Sequence, residues 1–245
     1  MVFVQGDAKQ GIKPFYLSKT EVRLEMFYPW AMGYGMGWSD VEVKRRAGFY
    51  PSQYLMWFQS AAWQYDKRRP ALAMSRTAAE QYCKTLTQLT GRRYRLPTEA
   101  EWEHALTLGG GVPSDKESLL KIAHLATDQN FQVDSDKREF GHVPALVGTQ
   151  SPDHLGLYDL LGNAAEWVTD TGNDRVVRGG HFELPAGDFN ADWRAVEDID
   201  VWKETYPNLP VPSGLYRDFP YTGIRLACDA DQAPRPAPEP GPITP

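Results

Sequence analysis

Cysteine is nearly absent: the 245-residue chain holds two, Cys83 and Cys228, far apart. That excludes the multiply stapled framework of small secreted domains. It also excludes thiolate metal ribbons and dithiol redox motifs, since no C-x-x-C pair occurs. Two buried thiols and one long-range disulfide both remain compatible with the residues. An excess of positive charge is lacking too. Lys and Arg total 26 against 32 Asp and Glu, a formal charge of −6, so nonspecific nucleic-acid binding, which needs clustered cations against phosphates, is not expected. No apolar run approaches the roughly 20 residues of a membrane-spanning helix. The opening "MVFVQGDAKQG" has no signal-peptide anatomy, and "VFVQG" reads as a first strand. H-E-x-x-H, P-loop and G-x-S-x-G signatures do not occur. What is present is 8 Trp, 12 Tyr and 10 Phe beside 21 Gly and 19 Pro. Many aromatics among many turn residues predict an irregular, loop-rich fold rather than a helical bundle.

Along the chain, "FYLSKTEVRLEMF" (15–27) alternates apolar and polar residues and predicts a strand. Residues 52–65 predict a short helix. A second helix starts from Ser75 as N-cap, carries Ala78, Ala79, Tyr82, Cys83, Leu86 and Leu89 at helical spacing, and stops at Gly91. "YRLPTEAEWEHAL" (94–106) contains T-x-x-E, a capping box from Thr98 to Glu101. Glu99 and Glu101 complement the helix dipole, and Trp102, Ala105 and Leu106 form its apolar stripe. "GGG" at 109–111 ends it. Glu101 and His104 have the spacing of di-iron bundle ligands, but the second copy and further carboxylates are missing, so Glu99, Glu101, Glu103 and His104 read as a helix start. His124, His142 and His154 read as loop residues. The segment 112–155 is loop-like, with few strand signals, and too long for an empty connector. Strands are predicted in "EWVTD", "RVVRGGHF" and "YTGIRLACD", the last with Ile224, Leu226 and Cys228 on one face, and a long aromatic, polar loop spans 183–220. Residues 1–230 are expected to form one domain, followed by a Pro-rich, disordered tail at 231–245.

The blocks "YRLPTEAEWEHA", "GLYDLLGNAAEWVTD", "RVVRGGHF" and "TGIRLACD", in this order, resemble the formylglycine-generating enzyme / sulfatase-modifying-factor family. "FYLSKTEV" and "SRTAAEQYC" fit its opening and first helix, so the likeness runs from about Phe15 to Asp229. It implies an α+β, C-type-lectin-like fold: two main helices, small antiparallel sheets and extensive ordered loops. The family's copper chemistry uses a cysteine pair before the last strand, in the region of about 190–198. Here that region reads "NADWRAVED". Copper(I) wants soft thiolates, and Asp192, Glu197 and Asp198 are hard oxygen ligands, so no copper and no formylglycine generation are expected. The resemblance also implies a Cys83–Cys228 disulfide between first helix and last strand. The second cysteine falls two residues later than usual, on the same strand face.

Further expectations follow from the same likeness. Structural calcium would be held by Gly162, Asn163, Ala164 and Glu166. A second site would use Asn130, Phe131 and an acid that is Glu139, Asp134 or Asp136. A substrate groove would be floored by "RGGHFELP" and the loop after it. Asp192, Trp193, Trp202 and Tyr206 are candidates for binding there, and Glu197, Asp198, His181 and Arg194 for catalysis, with His181 as a general acid or base. The disulfide implies an oxidising compartment, the periplasm, with the leader already removed from this chain. The function expected is that of an oxidoreductase-like tailoring enzyme acting on a small peptide-like metabolite, as in maturation of a siderophore chromophore of the pyoverdine type. The alternative is a non-catalytic periplasmic module that binds a partner protein.

Overall fold

The computed structural model describes residues 1–31, 66–72, 74, 76–128, 131–133, 139–170, 172, 175–196 and 221–231. Residues 52–65, Ser75 and residues 232–245 of the Pro-rich tail lie outside these. Sheet one has the order β1 (Val2–Val4), β2 (Phe15–Leu17), β12 (Ala227–Asp229), β3 (Tyr94–Arg95), all antiparallel. Sheet two has the order β10 (Arg194–Val196), β9 (Arg175–Arg178), β8 (Ala165–Thr169), β11 (Thr222–Gly223). Its last pairing is parallel, against the expectation of purely antiparallel sheets, as is the small pair β4 (Ala123–His124) with β7 (Leu161–Gly162). A hairpin joins β5 (Phe131–Val133) and β6 (Glu139–His142). The helices are α1 (Leu24–Ala31), α2 (Arg76–Thr90), α3 (Glu99–Leu108) and α4 (Lys116–Ile122).

The central strands of sheet two, β8 and β9, are buried on both faces, as is the run from Ile224 into β12, which is why they read as largely apolar runs, whereas the edge strand β10 is exposed. Trp167, Val177 and Leu226 face a cluster under α1 and α2 that includes Phe27, Trp30, Tyr82 and Cys83. Their chain neighbours Val168, Val176 and Ala227 face the opposite way, into a cluster under α3 with Trp102, Ala105, Leu106, Phe15 and Leu17. The period-2 alternation of a strand thus feeds two cores at once.

Three expectations are corrected. The strand at 15–27 stops at Leu17, and Leu24–Ala31 is helical. Phe27 and Trp30 are spaced i, i+3, and on a helix both rings meet Tyr82, at 5.2 and 5.4 Å between centroids, an arrangement a strand would split between two faces. On α2 the buried stripe is Ala78, Ala79, Tyr82 and Cys83, with Leu86 at its edge, whereas Leu89 is 63% exposed. The segment 112–155 is not featureless. Asp115 caps α4 by accepting from the Ser118 amide at 2.8 Å, and β4, β5 and β6 follow. The capping box of α3 forms as read. Thr98 Oγ1 accepts from Glu101 N at 3.1 Å, and Glu101 Oε2 accepts from Thr98 N at 2.8 Å.

Candidate functional site

Beneath the sheets lies a buried charge centre. Glu21, Asp159, Glu166 and Arg225 are each no more than 2% exposed. Arg225 reaches Glu166 through Nε at 2.9 Å and Nη2 at 2.8 Å, and donates to the carbonyls of Ser18 and Tyr158 at 2.9 and 2.6 Å. Trp102 Nε1 donates to Glu166 Oε2 at 2.9 Å. Glu21 accepts from Asn163 Nδ2 at 2.7 Å and from Ala164 N at 2.8 Å. Three carboxylates around one guanidinium leave an excess of negative charge in a low dielectric. Burial first, then the neighbouring carboxylates, holds the Glu21 carboxyl well above its usual range.

This knot contains the first expected calcium set, and the set does not fit the ion. Glu166 is taken by Arg225 and Trp102. Asn163 Oδ1 accepts from Ala145 N at 2.8 Å, and the Asn163 carbonyl from Phe182 N at 3.1 Å. Gly162 and Asn163 adopt left-handed φ values of 75° and 57°, and a Cβ at Gly162 would meet the His124 carbonyl at 2.4 Å. The turn therefore serves close packing, and the guanidinium supplies the positive charge. Two carboxylate oxygens, Asp153 Oδ2 and Asp159 Oδ1, have no hydrogen-bond partner among the described residues, and both residues border a cavity of about 10 Å³, room for one water. Of the second set, Phe131 lies in β5 opposite His142, Glu139 lies opposite Val133, and Asn130 is outside the described residues. No grouping of three metal-ligating side chains occurs among the described residues.

The expected groove floor begins where β9 ends. Gly179 and Gly180, with φ values of 93° and 72°, turn the chain, and a Cβ at Gly179 would lie 2.9 Å from the Leu160 carbonyl. The turn delivers His181 onto Tyr221, with ring centroids 4.4 Å apart and planes 20° from parallel. Trp193 meets His181 edge-on at 5.9 Å, and Phe182 meets Tyr221 edge-on at 5.2 Å. His181 Nδ1 accepts the Glu183 amide proton at 3.2 Å, so the neutral ring carries its own proton on Nε2. Burial pushes the His181 pKa down to about 4. Near neutral pH His181 is therefore a neutral donor through Nε2–H, with its Nδ1 lone pair engaged by the Glu183 amide.

A pH dependence follows. Between the ordinary 6.5 and about 4 the unfolded chain binds a proton at this position and the folded chain does not. His181 thus contributes stability that is present above 6.5 and lost as pH falls toward 4. Urea midpoints measured across this window should show the wild type losing stability relative to His181→Gln.

Arg194 is ion-paired, through Nε to Glu99 at 2.8 Å and through Nη2 to Asp170 at 3.6 Å. Glu99 and Glu103 also hold the buried Arg178, at 3.5 and 2.9 Å, and Arg178 lies 5.5 Å from the Trp102 ring centre. Glu101 grips Arg95 at 2.6 Å. Glu101 thus turns to Arg95 while Glu99 and Glu103 share Arg178, so all three glutamates of α3 are engaged in ion pairs, in keeping with a helix-start reading. Arg194 belongs to this brace rather than to a free catalytic group. Asp192 is exposed, its amide bonded to Asn190 Oδ1 at 3.0 Å. Glu197, Asp198, Trp202 and Tyr206 lie outside the described residues. Cys83 and Cys228 are both free, which corrects the expected disulfide. Cys83 packs in the apolar cluster under α2, and burial pushes its thiol up to about 12. The Cys228 sulfur lies 3.8 Å from the Asp229 carbonyl on its own strand.

Residues 5–206 match the model of the sulfatase-modifying factor enzyme 1-like domain, and the chain belongs to that family. It is 30% identical to the formylglycine-generating enzyme of Bos taurus over 138 residues, 46% of this chain and 35% of that enzyme. With the Mus musculus enzyme it shares 29% identity over 143 residues, 48% of this chain and 36% of the relative. The chain thus spans about a third of the length of these relatives. Among solved structures it is similar to PvdO from Pseudomonas aeruginosa, with a TM-score of 0.56 and 21% identity over 89% of this chain and 81% of that one. It is also similar to CarF, with a TM-score of 0.52 and 18% identity over 94% and 93% of the two chains. These likenesses show the fold. Among the described residues no helix is long and apolar enough to cross a membrane.

Proposed function

We propose that this protein is a tailoring enzyme that acts on a small peptide-like metabolite bearing an aromatic group, with maturation of a siderophore chromophore of the pyoverdine type as the specific case. The observation that carries this reading is His181, a neutral hydrogen-bond donor on a stack with Tyr221 and against the edge of Trp193. Aromatic faces supply contact area to a planar ligand, and one fixed donor orients its acceptor atom. The siderophore case rests on the family resemblance, and the fold shared with PvdO adds a common architecture. With both thiols free, a periplasmic location rests on the family resemblance alone.

The test is a metabolite comparison between a deletion strain and its parent, followed by complementation. The deletion strain should accumulate a dihydro-chromophore precursor that the wild-type gene clears. His181→Ala and Tyr221→Ala should clear it at least about tenfold more slowly, as loss of a buried hydrogen bond and of a stacking partner requires. Identical metabolite profiles in deletion and parent would end this reading.

A further inference from the structure

Glu183, two residues beyond His181, holds a second histidine. Its carboxylate accepts from His142 Nδ1 at 2.8 Å through Oε2, and from the His142 backbone amide at 3.1 Å through Oε1. Both oxygens are thus engaged by one residue 41 positions away, which fixes where the ring sits. Phe131, across the hairpin from His142, meets the imidazole edge-on at 5.3 Å. The segment bearing Glu183 is itself pinned. Phe182 N donates to the Asn163 carbonyl at 3.1 Å, Leu184 N to the His181 carbonyl at 2.9 Å, and Ala126 N to the Leu184 carbonyl at 2.9 Å. The two side chains are 22% and 26% exposed, so the pair is partly withdrawn from water. His142 Nε2 has no protein partner among the described residues.

We infer that His142 and Glu183 form a carboxylate–histidine dyad in which His142 Nε2 is a general base for an O–H or N–H proton of the bound metabolite, and Glu183 is its positioning residue. This deepens the reading proposed above and rests on it for the identity of the substrate. The carboxylate keeps the proton of the neutral ring on Nδ1, which leaves the Nε2 lone pair open. In the step, the proton passes from the ligand heteroatom to Nε2 and the bonding electron pair stays on that heteroatom. The imidazolium that forms lies against the Glu183 carboxylate, which stabilises it. The same residue sets His181 the opposite way, because the Glu183 amide donates to His181 Nδ1 and so places the ring proton on Nε2. One residue therefore holds two histidines in complementary tautomers, one a proton acceptor and one a hydrogen-bond donor.

Two readouts test this. Long-range ¹H–¹⁵N spectra of protein labelled at histidine nitrogen report each tautomer without any substrate. The wild type should show His142 as Nδ1–H and His181 as Nε2–H, and Glu183→Ala should move His142 toward Nε2–H. An Nε2–H signal at His142 in the wild type, or no change in Glu183→Ala, overturns the dyad. In the complementation assay His142→Asn should slow precursor clearance about 100-fold, the range of a lost general base. Glu183→Gln, which still accepts from Nδ1 but cannot offset the imidazolium, should slow it about tenfold. Circular dichroism and thermal melts establish that each variant is folded. Full clearance by folded His142→Asn overturns the base role. If the deletion has no metabolite phenotype the siderophore reading fails, while the tautomers still decide the dyad.

Discussion

Replacing Arg225 by methionine is expected to cost about 3–5 kcal/mol of stability, read as a lowered urea midpoint at unchanged slope. Arg225 is fully buried and is the partner of Glu166, with Glu21 and Asp159 close enough to act on its charge. Methionine fills much of the volume but leaves three buried carboxylates without a cation. Those carboxylates then take up protons, so the deficit should grow with pH. The sign follows from linkage. An acid whose folded pKa is raised binds a proton in the native state after the unfolded chain has released it, so stability falls as pH rises above the ordinary 4.5 of Glu21. Arg225→Met combined with Glu166→Gln should recover part of the loss, because one of the stranded charges is gone. Because the guanidinium supplies the positive charge, EDTA should leave the wild-type melting temperature where it is. A melt lowered by EDTA and restored by calcium would show that this centre needs a metal after all.

How far the chain could be read from its sequence varies with how local the cause is. Thr98 and Glu101 are three residues apart, and their capping box is a local event, so α3 was legible in place. The four ordered blocks carried the family, and with it the two main helices and small sheets. Helix α1 was not legible, because the apolar–polar alternation that marks β2 runs on past Leu17 toward Leu24–Ala31, and the helical spacing of Phe27 and Trp30 is completed by Tyr82, far along the chain. The charge centre left one visible signal. Arg225 stands between Ile224 and Leu226 in an apolar run that joins β11 to β12, and a cation placed there demands a buried acid. Its partners are 59 or more residues away, and no spacing rule could name them. The same distance hid the dyad: His142 looked isolated because Glu183 approaches only through the fold. His181 stands out by its position after "RGG", but its protonation is not legible there, since the tautomer depends on the Glu183 amide and the lowered pKa on burial.

Truncating Trp102 to alanine is expected to cost a further large amount, about 3–5 kcal/mol, because its ring does three things at once. It is 1% exposed and lies within the cluster under α3, so its removal opens a cavity among residues held in place by two sheets. Its Nε1–H is one of the donors that stabilise the Glu166 carboxylate, so truncation also weakens the charge centre. Its face receives the Arg178 guanidinium, which Glu99 and Glu103 hold from the same helix. Phenylalanine separates these contributions. Trp102→Phe keeps most of the buried area and an aromatic face, and loses the hydrogen bond. It should therefore cost roughly 1–3 kcal/mol, the range for leaving a buried acceptor without one of its donors. If Glu166 is the reason for that loss, Trp102→Phe and Glu166→Gln should be non-additive in a double-mutant cycle, with a coupling above about 0.5 kcal/mol. Strict additivity would mean that Trp102 serves the fold by packing alone, and that the link from α3 to the charge centre carries no energy.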